Sequence, residues 1–134
     1  MPHQARETPV ILSKPTGSRL NGAAFVIDEL AQVRSYIQAR AEARRNFGKE
    51  IFSDPAWDML VQLYASQLSQ HRIALSRLCG LSQVAGGTGK RWLDILETNG
   101  EIERIADPLD RRRTWVNLTP AGSSKMKAYF KAIA

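Results

Sequence analysis

Apolar residues recur along this chain at helical spacing in several segments and at strand spacing near its end, with marked breaks between them. Val26, Leu30, Val33 and Ile37 follow one another at steps of four, three and four, which places them on one helical face. Asn21 is the expected N-cap of that helix, which should run through the alanine- and arginine-rich stretch ending at Arg45. So narrow an apolar stripe suits a helix packed on a neighbour or on a second subunit. A second helix is expected from Ser53-Asp54-Pro55, with Asp54 capping free N–H groups and Pro55 in the first turn, where its missing N–H is no loss. Trp57, Leu60, Val61, Tyr64 and Leu68 form its predicted core face. After a break at residues 69–72, Ile73 is expected to pair briefly as a strand. The first twenty residues, interrupted by Pro2, Pro9 and Pro15, read as a flexible tail.

The richest pattern lies over residues 72–122. A short helix, 74–82, turns Leu75, Leu78 and Cys79 inward. Another, 87–99, has Gly89, Trp92, Leu93 and Leu96 as its inward stripe, and Gly100 ends it as a left-handed cap. Ile102 and Ile105 are read with Glu103 and Arg104 as a strand, residues 106–110 as a turn, and Trp115, Asn117 and Thr119 alternating with Val116 and Leu118 as the returning strand. Two short helices joined by a tight turn, the second amphipathic and basic at its front, make a helix-turn-helix, and the hairpin after it makes a wing. Such a second helix reaches base edges with its N-terminal half, here Gly87, Thr88, Lys90 and Arg91. The wing tip carries Arg111, Arg112 and Arg113 in a row, guanidinium groups that repel one another and call for water or an anion. The fold class expected is mainly α (α+β).

Composition adds direction. The 134 residues carry a formal charge of +6, which favours an anionic partner only weakly. Residues 21–54 are balanced, five charges of each sign, so the excess sits elsewhere, in the N-terminal tail, over 67–115 and in Lys125, Lys127 and Lys131. No apolar run approaches the roughly 20 residues that cross a bilayer, and the start lacks a signal-peptide core; a cytoplasmic protein without a membrane partner is expected. Cys79, the single cysteine, forms no intrachain disulfide and reads as a small buried hydrophobe, not a redox sensor. Arg40, Arg44 and Arg45 read as a solvated helix face. Trp57, Trp92 and Trp115 read as packing residues. Lys90 stands four residues from Asp94 and can pair with it along the helix, which is compatible with a DNA role. His3 and His71 are the only histidines, and no Cys/His cluster has metal-ligand spacing. Gly86-Gly87-Thr88-Gly89-Lys90 follows a helix and lacks the spacing and ending of a phosphate loop. No enzyme, metal or cofactor is expected.

The run 78–84, the helix 87–99, Gly100, Asp107-Pro108-Leu109-Asp110-Arg111-Arg112-Arg113 and the closing Leu118-Thr119-Pro120-Ala121-Gly122 together resemble MarR-type winged-helix regulators, whose wing has the form Asp-Pro-x-Asp-x-Arg followed by Leu-Thr-x-x-Gly. The resemblance implies a transcriptional regulator that binds double-stranded DNA as a homodimer, with two recognition helices on a palindromic operator. It implies an Asp110–Arg112 ion pair that shapes the wing, an arginine of the tip in the minor groove, and N- and C-terminal dimerisation helices. The chain departs from the family in its glycines at 86, 87 and 89, for the last of which the bulk of Trp92 is the expected compensation, and in a short C-terminal helix. The implied organisation is a tail over 1–20, a dimerisation helix over 21–52, the winged domain over 53–122 and a short helix over 123–134. Val26, Leu30, Val33, Ile37, Met126, Tyr129 and Phe130 are the expected dimerisation residues, with Ile133 extending that face. A small-molecule effector of unknown identity would sit between dimerisation helices and winged domain. The competing reading is a protein-interaction module without base readout, supported by the acidic Asp94, Glu97, Glu101 and Glu103.

Overall fold

The structure, a computed structural model, describes the backbone of residues 18–134 and the side chains of residues 28–134; of the tail expected over 1–20, residues 1–17 lie outside the described residues, as does the side chain of Val26, and residues 18–20 are helical. The described chain folds as α1 (Ser18–Phe47), α2 (Pro55–Leu68), β1 (Ile73–Ala74), α3 (Leu75–Leu81), α4 (Gly86–Thr98), β2 (Ile102–Ala106), β3 (Thr114–Leu118) and α5 (Pro120–Ala132). Helix α1 begins three residues before Asn21, so Asn21 is interior and not the N-cap. An interior Asn or Gly costs a helix at most about 1 kcal/mol, too little to start it later. At α2 the expected boundary holds, with Pro55 in the first turn, but the Asp54 side chain makes no capping bond.

Helix α2 is the hub. It touches α1, α3, α4, α5 and β3, so it is buried on more than the one face its spacing suggests. Met59, Val61, Leu63 and Tyr64 are buried, while Trp57, Leu60 and Leu68 are only partly so. Met59 and Leu63 lie off the predicted stripe because neighbours cover both flanks of this helix.

The three strands form one antiparallel sheet in the order β1-β3-β2. Ile73 pairs with Val116, so the brief strand anticipated there adds a third member to the hairpin. Ile102, Val116 and Leu118 are buried on the inner face. Ile105 lies opposite Trp115 and is 41% exposed: three residues from Ile102, it must point to the other side of a strand whose faces alternate every residue.

The C-terminal helix corrects the dimerisation expectation. Met126 and Phe130 are buried in the chain's own core together with Val33 of α1, and Ile37 and Tyr129 pack on that core. Phe130 stacks on Tyr64 at 5.9 Å between ring centroids and meets Tyr36 edge-on at 5.4 Å. The face read as docking a second subunit therefore docks α5 onto α1 and α2. Leu30 is half-buried. Further along the same face, helix α1 is held to α2 by charge. Arg40 Nε donates to Asp58 Oδ1 at 2.7 Å and Arg44 Nη1 to Oδ2 at 3.1 Å, so two of the three arginines read as solvated turn inward, and only Arg45 stays outside, beside Glu42.

Candidate nucleic-acid interface

The two helices of the helix-turn-helix are brought together by a missing side chain. A Cβ on Gly89 would lie 2.5 Å from Cys79 Sγ, well inside van der Waals contact, and 3.5 Å from Met59 Cε, at ordinary contact. Glycine at this inward position is thus compensated by Cys79 of α3, not by Trp92, which is only partly buried. Burial pushes the Cys79 thiol up from its usual range, as expected of a packed, unreactive sulfur. The turn between the helices closes with Gln83 at φ 57°, and Val84 N–H donates to Cys79 O at 2.9 Å.

Helix α4 buries Gly89, Leu93 and Leu96, half-buries Trp92 and exposes the remainder. Gly87, Thr88, Lys90 and Arg91 are all exposed in its first two turns. No side chain caps its start and no acid stands in its first turn, so its free N–H groups and positive dipole end face outward. Its far end is closed by Gly100 at φ +80°, with Gly100 N–H on Glu97 O and Glu101 N–H on Leu96 O.

Charges around α4 are sorted. Arg104 on β2 reaches Asp94 at 2.6 Å and Glu97 at 2.5 Å, and Lys125 on α5 reaches Glu101 at 3.0 Å. The acids near the end of α4 are therefore taken up by internal partners, Glu103 excepted. Asp94 pairs with Arg104 and not with Lys90, which leaves Lys90 without a carboxylate partner among the described residues. Ile95, 43% exposed, lies four residues past Arg91 and seven past Thr88 and so shares their outward face; the amphipathic stripe alone did not single it out.

The wing is framed by Asp107, which the motif places at its start without a role. Its Oδ1 accepts from Leu109 N–H at 2.9 Å and its Oδ2 from Arg113 Nε at 2.9 Å, while Asp107 N–H donates to Arg113 O at 3.0 Å. The Leu109 N–H and then the Arg113 guanidinium hold this carboxyl below its usual range. Asp110 Oδ1 accepts from Arg112 N–H at 3.0 Å, and Arg112 Nε lies 3.3 Å away in an otherwise exposed side chain. The detectable signal for Asp107 was its place before Pro108, where a short acceptor closes a turn on N–H groups two residues ahead. Arg111 is exposed and has no acidic partner among the described residues. The closing motif has a similar logic. Thr119 Oγ1 donates to Gly100 O at 2.6 Å and accepts from Gly122 N–H at 3.0 Å, and a Cβ on Gly122 would lie 2.1 Å from Glu101 O. Leu-Thr-x-x-Gly therefore locks α5 to the end of α4.

No protein-family model and no curated protein matches the chain. Solved structures do. The chain is similar to MepR of Staphylococcus aureus in its DNA-binding conformation, at 24% identity over 70% of this chain and 67% of that one, with a TM-score of 0.55. It is similar to the same protein in a MepR–DNA complex at 25% identity, covering 74% and 77% of the two chains at a TM-score of 0.54. A probable transcriptional regulator from Pseudomonas aeruginosa matches at 27% identity, covering 77% and 73%, with a TM-score of 0.51.

Proposed function

We propose that this winged helix-turn-helix of the MarR type is a transcriptional regulator that binds double-stranded DNA as a homodimer and reads a palindromic operator. Helix α4 supplies the groove-reading side chains, Thr88, Lys90 and Arg91, with the backbone at Gly87 close to phosphate. Arg111 and Arg112 at the wing tip meet the flanking backbone or the minor groove, where arginine is favoured. The observation that carries this reading is the sorting of charge: the acids Asp94, Glu97 and Glu101 are bonded inside the domain, while Thr88, Lys90, Arg91 and Arg111 stand exposed and unengaged. The same sorting leaves Glu103, among the described residues, as the one unpaired acid of the four on which an interaction module without base readout would rely. Ile95 adds an apolar group of the kind that contacts thymine methyls.

Because Val33, Met126 and Phe130 are spent in the core, a dimer would use the outward residues of α1 and the end of α5, where Ile133 is 48% exposed. No helix of the described residues is long and apolar enough to cross a membrane, and a regulator that binds the chromosome would work in the cytoplasm. No catalytic role is proposed.

Selection of bound sequences from random duplexes tests binding, half-site spacing and symmetry together. Two matched half-sites about one helical turn apart are expected. No enrichment, combined with no binding to random duplex at low salt, would overturn the regulator reading. Arg112→Ala should weaken binding to every sequence, whereas Thr88→Ala should alter sequence preference; equal effects of both on all sequences would contradict these roles.

A further inference from the structure

The outer face of the sheet carries a charge arrangement that the helix-turn-helix and wing tip do not account for. Arg72 directly precedes β1, whose Ala74 pairs with Trp115 of β3. Residues two apart share a strand face, so Arg72, Ala74, Trp115 and Arg113 lie on one side. The Arg72 guanidinium carbon is 4.1 Å from the Trp115 ring centroid and that of Arg113 is 4.8 Å from it. Two like charges gathered on one indole repel each other, and the electron-rich ring together with the Asp107 carboxylate, which is bonded to Arg113 and feels the charge of Arg72, offsets that repulsion.

The two arginines differ in what neutralises them. Arg113 is bonded through Nε to Asp107, whose carboxylate is only 7% exposed, so its charge is balanced within the wing. Arg72 is exposed and has no carboxylate within ion-pair distance among the described residues. A guanidinium held over a ring by its central carbon still has N–H donors for phosphate oxygens, since none of those of Arg72 is bonded to a carboxylate among the described residues. Its side-chain freedom is already restricted before any partner arrives, which lowers the entropy lost on binding.

Resting on the duplex-binding reading above, we infer that Arg72 is a DNA-phosphate contact at the root of the wing, that Trp115 is the residue that positions it, and that Arg113 serves the wing's frame and not the phosphate. Arg72 lies outside both the recognition helix and the Asp-Pro-x-Asp-x-Arg turn, and only the pairing of β1 with β3 brings it to the wing.

The test is the salt dependence of binding to a random-sequence duplex, measured on the full chain. Each neutralised phosphate contributes about 0.9 to the slope of log K against log salt. Arg72→Gln keeps a planar amide that stacks on the indole while removing the charge. It should lower the slope by about 0.9 per bound subunit with an unchanged melting temperature, and Arg72→Lys should restore the slope. Trp115→Ala should weaken binding about two- to five-fold, the worth of an exposed cation–π contact, while leaving the slope at the wild-type value, because both charges remain. Trp115→Phe, which retains an aromatic face, should hold wild-type affinity. An unchanged slope in Arg72→Gln, with wild-type protein binding normally, overturns this assignment alone; failure of the wild type to bind duplex at low salt overturns the reading beneath it. Equal losses in Trp115→Phe and Trp115→Ala would remove Trp115 from its positioning role.

Discussion

Gly89 and Cys79 occupy a helix crossing with no spare volume, since an added Cβ would sit 2.5 Å from Sγ. Gly89→Ala should raise the local propensity for helix yet destabilise the domain by about 1–3 kcal/mol, the usual cost of overpacking a tight core. Cys79→Ala removes the sulfur in the way. The double variant should therefore be more stable than the sum of the single changes predicts, a coupling read from urea denaturation of all four chains; additive losses would show that the two residues do not oppose each other. Asp107 makes a second prediction at this scale. Its folded pKa lies below the ordinary carboxylate value, so its contribution to the wing is complete above that ordinary value, near pH 4, and is lost as pH falls through the depressed one. Near-ultraviolet circular dichroism, sensitive to Trp115 beside Arg113, should report loosening of the wing on acidification through that interval. Asp107→Asn should show the looser spectrum already at neutral pH. The presence of a charged loop was legible in Asp107-Pro108-Leu109-Asp110 followed by three arginines. Which acid frames it was not, because the Arg113 side chain returns to Asp107 only after the strands have paired.

Among the elements, α4 is the least self-sufficient. Gly86 and Gly87 open it, its N-cap Ala85 offers no side-chain acceptor, and a Cβ at either glycine meets nothing within 4 Å. Gly86→Ala should therefore stabilise the folded chain by up to about 1 kcal/mol, measured as a higher urea midpoint at unchanged slope. A destabilised variant would mean that the first turn is held by contacts other than its own helical bonds. The inward stripe of this helix was readable because Leu93 and Leu96 repeat at helical spacing, and its end because Gly100 has few alternatives at positive φ. Strand β2 was harder. Ile102 and Ile105 both read as apolar strand residues, but only pairing with β3 shows that one faces the core and the other stands beside Trp115.

For the whole molecule, the decisive packing joins the two ends of the described chain. Gln32 Nε2 donates to Phe130 O at 2.9 Å across 98 positions of sequence, and Phe130 completes the aromatic junction of α1, α2 and α5. Phe130→Ala should cost about 3–5 kcal/mol. Since this residue belongs to the monomer core, the loss should be the same at low and high protein concentration. A deficit that shrinks as concentration rises would return Phe130 to a subunit interface. The order of elements, the helix-turn-helix with its wing, and the polar residues exposed at the front of α4 were determined by the sequence alone, because periodicity, caps and turn residues act over a few positions at a time. The tertiary structure decided which charges remain free and which apolar faces are spent inside the chain. Arg40 and Arg44 go to Asp58, Arg104 to Asp94 and Glu97, Arg113 to Asp107, and Met126 and Phe130 to the core, whereas Arg72 comes to the wing with no carboxylate in ion-pair contact among the described residues. Ion pairing and burial depend on groups brought together from distant elements, and no local pattern encodes those distances.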